Sequence, residues 1–344
     1  MRVALDAQLT VGTATGIGEY AGGLAAALPE AGVDVVALSE QRLDPWRFDR
    51  RVLWDQVVLP LRARRAAASL LHCASGTMPL LRTMPVVVTV HDVAWLRVQR
   101  HARAYARLYF GRLALALYRG ARRVMVDSAF SRDELTGIAN IDPAIVDVVY
   151  PGVAADVATV VRRPDAQPFV LVTGTVERRK NLAVVIRAVA ELPSVRVVSV
   201  GPHTPYKEAC ERIARECGVA DRVDFRGYVS RSELLELYAR AAVAAVPSTY
   251  EGFGYAAAWA LCAGVPLVAS NSSSLPEVVG DAGALVAPAD AGGWRDAIAA
   301  ILDDRPKAER LADARRGAAA DRYSWRNAAR AAARTYANAL GAGQ

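Results

Sequence analysis

The stretch VAAVPSTYEGFGYAAAWALCAGVPLVASN, residues 243–271, holds a complete strand–turn–helix–strand unit. VAAVPS is short, apolar and bounded by proline and serine, the pattern of a strand buried on both faces. TYEGFG is a turn. YAAAWALCAG is rich in alanine and closes on Gly264, with Pro266 just beyond, as helices commonly end. PLVASN then reads as the next strand. A strand that returns through a helix to another strand is a parallel βαβ unit.

The same alternation runs outward in both directions. RVALDAQ, VDVVALS, SLLHCAS, PVVVTVHD, RRVMVDS and VDVVYPG are strand candidates in the first half. FVLVTGT, VRVVSVGP, RVDFRGY, VAAVPS, PLVASN and GALVAP are those of the second. Helical segments are expected at 19–31, 102–120, 182–192, 205–218, 231–241, 254–263 and 293–303. The fold class is therefore α/β, with a doubly wound, Rossmann-like parallel sheet in each half. Proline, glycine and polar residues interrupt both periods in YPGVAADVATVVRRPDAQP, residues 150–168. The expected division is 1–155 for the first domain and 166–322 for the second. SWRNAARAAARTYANAL follows as an amphipathic helix with Ser324 as N-cap, giving a terminal piece at 323–344.

Composition supports two cores: 344 residues, 53% hydrophobic and 22% charged. No apolar run is long enough to span a bilayer, and the start reads as a strand rather than a leader. Cys73, Cys210, Cys217 and Cys262 lack metal-type or disulfide-framework spacing, so buried thiols in a reducing cytoplasm are expected. The net charge of +7 has a focus. Between Val93 and Val126 there is no acid, but there are Arg97, Arg100, Arg103, Arg107, Arg112, Arg119, Arg122 and Arg123, interleaved with Tyr105, Tyr109, Phe110 and Tyr118. Such a segment is a solvated helix face, a contact for an anionic membrane surface, or a nucleic-acid patch. No nucleic-acid module accompanies it, so nucleic acid is not an expected partner.

The chemistry begins with Glu251. Gly252 and Gly254 let backbone approach a ligand, and the helix start beside them favours an anion. A carboxylate there makes sense if it accepts hydrogen bonds from neutral hydroxyls. An object anionic at one end and hydroxyl-rich at the other is a nucleotide sugar. TGTVERRKNL supplies a second element: a strand ends at Gly174, and Arg179 and Lys180 precede a helix. They are suited to neutralising a departing diphosphate. Gly16 and Gly18 in LTVGTATGIGEY match a dinucleotide fingerprint poorly, with no acid ending the second strand, so a nicotinamide cofactor is not expected. His91 and Asp92 end a strand, a frequent place for function.

Together these residues resemble the retaining, nucleotide-sugar-dependent glycosyltransferases of GT-B fold, in the group holding bacterial mannosyl- and rhamnosyltransferases. The resemblance runs over nearly the whole chain. It is carried in order by GIGEY (16–20), WDQVVLP (54–60), HD (91–92), VDSAFSRDEL (126–135), VVYPGV (148–153), GTVERRKNL (174–182), FRGYVSRSELLELYARA (225–241), PSTYEGFG (247–254) and SNSSSLPEVVGDAGALVAP (270–288). It implies two domains facing a cleft, with the last helix crossing back to the first domain. It implies that Lys180 and Arg179 hold the donor diphosphate, and that backbone near Gly227, Tyr228 and Val229 meets the base. Glu251 then meets sugar hydroxyls, with Gly252, Phe253 and Gly254 beside it. Gly16 and Gly18 approach the donor from the other domain, and His91 lies near sugar and acceptor. No metal and no cofactor is implied; the nucleotide sugar, GDP-mannose-like by the resemblance, is a substrate. The implied acceptor is a glycan or a polyprenyl-diphosphate-linked saccharide in surface polysaccharide assembly. That role agrees with a cytoplasmic enzyme, peripheral on the inner face of the membrane through Arg97–Arg123.

One position departs. Where the family carries a second glutamate, eight residues after the first, this sequence has Trp259. That glutamate bonds the ribose in the family, and indole has one donor and no acceptor. Three readings stay open: a deoxyribose donor such as a dTDP-sugar, Glu277 taking the ribose, or a weak or inactive sugar-nucleotide-binding partner subunit. A sugar-nucleotide epimerase of similar architecture is the rival enzyme.

Overall fold

The computed structural model describes residues 1–12, 16–94 and 108–341. It divides into two compact units: Met1–Gly152 together with the segment from Ser324 onward, and Val153–Tyr323. The first carries one parallel sheet of β1 (Arg2–Asp6), β2 (Asp34–Leu38), β3 (Leu70–Cys73), β4 (Val86–Val90), β5 (Arg123–Val126) and β6 (Val146–Val148), in the order β2-β1-β3-β4-β5-β6. The second is built from β7 (Phe169–Thr173), β8 (Arg196–Val200), β9 (Val223–Gly227), β10 (Val243–Val246), β11 (Leu267–Ser270) and β12 (Ala284–Val286), in the order β12-β11-β10-β7-β8-β9. Every expected strand run contains one of these strands. The central ones, β3, β4 and β10, are buried along their whole length, which explains their unbroken apolar sequence.

In the first unit the terminal helix Trp325–Leu340 packs on helix Gly16–Ala27 and the sheet. Ser324 caps it, its hydroxyl accepting from the Asn327 amide at 3.2 Å. Two features seat it. Tyr336 and His72 Nδ1 lie 2.7 Å apart, His72 Nε2 meets the Thr89 hydroxyl at 2.7 Å, and that hydroxyl meets Tyr20 at 3.0 Å. This chain is wholly buried. Burial, with the nearby His91 charge, pushes the His72 pKa down to about 3, so its ring stays neutral. The other feature is the Trp325 ring. A Cβ at Gly23 would lie 2.1 Å from it, and one at Gly152 would lie 2.3 Å from the ring and 2.7 Å from the Trp325 Cα.

In the second unit Trp294 is fully buried and donates to the Ala287 carbonyl at 3.1 Å. Tyr323 closes the unit, donating to the Val278 carbonyl at 2.8 Å and meeting the Phe253 ring edge-on at 5.4 Å. Helix Arg305–Arg322 was not expected from the sequence. Ala319 is its one buried residue, and polar ties such as Arg162–Glu309 at 2.7 Å hold it in place of an apolar stripe. Cys217 is the exception among the cysteines expected to be buried: it caps a helix end and is half-exposed, while Cys73, Cys210 and Cys262 are buried. The helix expected at 102–120 is seen from Leu108 to Tyr118; Arg97, Arg100, Arg103, Arg107 and Tyr105 lie outside the described residues. Among the described residues no helix is long and apolar enough to cross a membrane.

Trp325→Ala should destabilise the first unit by about 3 kcal/mol, and Gly152→Ala should cost a comparable amount by pushing the indole out. The two effects should be less than additive, because both act on one contact. Urea unfolding of the single and double variants measures this. Full additivity would show that the indole does not depend on the glycine.

Candidate active site

In an open parallel sheet, ligands bind where the strand order reverses, outside the carboxyl ends of the strands. In the second sheet that point lies between β7 and β10. The segment leaving β7 carries Gly174, Arg179 and Lys180; the segment leaving β10 carries Glu251. The structure brings them together. Lys180 Nζ lies 2.6 Å from Glu251 Oε1, and Arg179 reaches Glu251 Oε2 at 3.0 Å. Arg179 also donates to the Tyr250 carbonyl at 2.7 Å and pairs with Glu177 at 2.9 Å. The backbones join as well, the Thr249 amide donating to the Arg179 carbonyl at 2.8 Å.

Here the structure differs from the simplest expectation. Glu251 is not a lone acid: it is buried, and each of its oxygens already meets a cation. Desolvation, the largest single influence, raises its pKa, but Lys180 and Arg179 outweigh it and hold the carboxyl below its ordinary 4.5. An ammonium carries three donors and a guanidinium five, so each cation can serve Glu251 together with other acceptors. The trio can therefore bind an anion through the cations and hydroxyls through the carboxylate.

Sequence reasoning assigns no role to the three serines after β11, yet they position Glu251. Ser273 Oγ accepts from the Glu251 amide at 2.8 Å. Ser274 Oγ donates to the carbonyls of Glu251 at 3.0 Å and Phe253 at 2.8 Å. Ser272 Oγ donates to the Ser248 carbonyl at 3.0 Å. Asn181, likewise unassigned, bridges the Pro247 and Pro288 carbonyls at 3.2 and 2.7 Å. A run of small hydroxyl residues following a buried strand was the available signal. Gly254 has φ +100°, and a Cβ there would sit 2.8 Å from Leu275 Cδ2, so both conformation and space require glycine. Helix Tyr255–Cys262 starts directly after it, with no side-chain cap.

The remaining residues named from sequence fall as follows. Gly252 and Phe253 are buried beside Glu251; Tyr228 is exposed and Val229 half-buried just after β9. Glu277 is half-buried on helix Leu275–Val279. Gly16, Gly18 and His91 belong to the first unit. His91 Nε2 meets the Ala74 carbonyl at 2.8 Å, and Nδ1 meets Asp127 Oδ2 at 2.7 Å. A carbonyl only accepts, so Nε2 carries a proton. Desolvation pulls the His91 pKa down, but Asp127 and the Ala74 carbonyl more than offset it, and the net direction is upward. Sequence reading missed Asp127 as its partner. Trp259 is buried, 5.8 Å from the Tyr238 ring, with the Arg231 guanidinium 5.0 Å above it. Asp156 fixes that guanidinium through two bonds of 2.6 Å.

Two family models match, one over each half: glycosyltransferase family 4 over residues 14–157 and glycosyl transferases group 1 over residues 158–318. Each half of the chain is thus similar to a glycosyltransferase family. It is 34% identical over 235 residues to the D-inositol 3-phosphate glycosyltransferase of Mycolicibacterium smegmatis, covering 64% of this chain and 54% of that one. The protein of that name from Mycobacterium bovis is 32% identical over 240 residues, covering 64% and 49%. The chain thus spans about half the length of the curated relatives it matches. Among solved structures, sucrose-phosphate synthase from Thermosynechococcus elongatus superposes with TM-score 0.77 at 22% identity, covering 99% of this chain and 100% of that one. HepE of Anabaena in complex with UDP and glucose gives 0.76 at 18%, covering 98% and 99%. These likenesses establish the GT-B fold class; the group named is broader than the mannosyl- and rhamnosyltransferases of the first resemblance.

Glu251→Gln should destabilise the second unit by about 1–3 kcal/mol at neutral pH, because it leaves two partly buried cations without their shared anion. A carboxylate whose folded pKa lies below its unfolded 4.5 contributes stability above that value and loses it as pH falls through the folded one. The gap to the unsubstituted protein should therefore close on acidification below 4.5. Denaturant titrations across that range decide it; a gap that stays constant with pH rules out the ion pairs as its source.

Proposed function

We propose that this chain is a retaining, metal-independent hexosyltransferase that moves a hexose or deoxyhexose from a nucleotide sugar to a hydroxyl acceptor. The observation that carries the proposal is the Lys180–Glu251–Arg179 cluster at the β7/β10 switch point. Lys180, Arg179 and the start of helix Tyr255–Cys262 offer positive potential to a diphosphate. Glu251 faces the sugar side and takes its hydroxyls. In the reaction the bond from the anomeric carbon to the phosphate oxygen breaks, and a bond to the acceptor oxygen forms on the same face. The acceptor proton passes to the leaving phosphate oxygen, and a nucleoside diphosphate departs. Charge grows on that oxygen in the transition state, where fixed cations act most strongly.

For the donor we keep a GDP-mannose-like sugar nucleotide. For the acceptor we keep a glycan or a lipid-linked saccharide of surface polysaccharide assembly. The relatives' name adds a phosphorylated polyol to the acceptors to be tried. A second reading rests on Trp259, an indole stacked under Arg231 where the resemblance puts a carboxylate. On that reading the chain binds sugar nucleotides and transfers poorly.

Calorimetry against UDP-, GDP-, dTDP- and ADP-sugars, followed by transfer assays with the donor that binds, tests both. The first reading expects Lys180→Ala and Glu251→Ala to lower kcat/KM by about 100-fold or more with the fold intact. Binding without transfer, with turnover gained in Trp259→Glu, would favour the second. Unchanged rates in Lys180→Ala would remove the diphosphate assignment.

A further inference from the structure

In the first unit, three consecutive helical segments, Phe48–Leu53, Trp54–Val58 and Leu59–Arg65, form one rod. The middle segment is a wider, π-type turn, and Pro60 follows it; a residue that cannot donate is accommodated by such a turn. One stripe faces inward: Arg51, Asp55, Leu59 and Ala63, four residues apart, are buried. Arg51 is neutralised there by Asp55 at 2.9 Å and Asp6 at 3.6 Å. The stripe two residues out of phase is the anomaly. Leu53, Val57 and Leu61 are 39%, 46% and 48% exposed at the same spacing. They form an apolar row on the solvent side of an otherwise correctly buried helix.

The surroundings extend this row. Leu53 and Leu61 line a groove of about 360 Å³ with Leu43, Val58, Arg42 and Arg65. Gln56 pins the loop carrying exposed Leu80 and Leu81, accepting from the Leu80 amide at 2.8 Å. Trp46, just before the rod, is 61% exposed. The charge is one-sided. Arg42, Arg62 and Arg65 line the groove against a single acid, Glu40, which is already paired with Arg62. Arg64 and Arg65 are exposed, and neither forms an ion pair among the described residues.

Apolar residues exposed in a row, an exposed tryptophan and a rim of arginines fit the boundary of an anionic bilayer. A second copy of the chain fits worse, because a two-fold contact would set the same arginines against each other. We propose that this face docks on an anionic lipid surface. Leu53, Val57 and Leu61 enter the headgroup boundary, and Arg64 and Arg65 meet lipid phosphates. The residues named here do not include the arginines between Arg97 and Arg107, and the proposal does not rest on the transferase reading.

Sedimentation with vesicles tests it, using phosphatidylcholine alone and phosphatidylcholine mixed with phosphatidylglycerol. Neither donor nor acceptor is needed. The protein should pellet with the anionic vesicles only, and less so as salt rises. Arg64→Gln with Arg65→Gln should weaken binding by roughly fivefold per arginine. Leu53→Gln, Val57→Gln and Leu61→Gln combined should weaken it by about tenfold or more. All these side chains are partly or fully exposed, and circular dichroism checks that the variants fold. The proposal is overturned if the unsubstituted protein ignores anionic vesicles or if both variants bind as it does. It is equally overturned if light scattering shows a dimer that the apolar variant loses without any vesicle binding, which would make the face a contact between copies.

Discussion

The candidate site depends on one buried carboxylate shared by two cations. Glu251 sits after β10, Lys180 and Arg179 after β7, and the pairs at 2.6 and 3.0 Å tie the two segments at the reversal point of the sheet. For stability alone this is a poor bargain, since desolvating three charges offsets much of their attraction. Its value lies in order. Held by Glu251, the two cations keep fixed positions at the sheet edge. Preorganised charge of this sort is what a departing diphosphate needs, because nothing must reorient as the bond breaks.

The backbone around the cluster is strained where it holds these side chains. Asn181 and Ser273 both adopt left-handed conformations, at φ +51° and +52°. Each such residue costs about 1 kcal/mol or more. Asn181 follows Lys180 directly and locks onto the carbonyls of Pro247 and Pro288; Ser273 receives the Glu251 amide. Strain is thus placed at the two residues that fix the cation segment and the carboxylate, where hydrogen bonds hold it in place.

The sheets were legible because parallel strands bury both faces and so write continuous β-branched runs into the sequence, as VVVTV at β4 and VAAV at β10 do. Helix Arg305–Arg322 was not, because ties such as Arg162–Glu309 leave no periodic stripe to detect. The site was legible by element but not by contact. The positions of Lys180 and Glu251 at strand ends follow from the alternation, whereas their ion pair depends on β10 lying beside β7, a sheet order that local sequence does not encode. The pairing of His91 with Asp127 was hidden for the same reason, since β4 and β5 meet only in the folded sheet.

That pairing bears on how an acceptor would lose its proton. Both His91 nitrogens are occupied by protein acceptors, a carbonyl at 2.8 Å and a carboxylate at 2.7 Å. A ring in this setting has no lone pair to offer while those bonds stand. Its pKa is shifted upward, which makes the ring a weaker candidate for lending a base. In the second unit Glu251 is equally unsuited, because its oxygens face two cations and its affinity for protons is lowered. A general base among these groups would need either histidine or glutamate to give up the contacts that position it. The oxygen of the leaving phosphate needs no such exchange. In the proposed transfer it would become more basic as its bond to the sugar lengthens, with Lys180 and Arg179 restraining that rise without abolishing it. The protein's part in the proposed transfer is then to hold charge still, while the substrate supplies its own base.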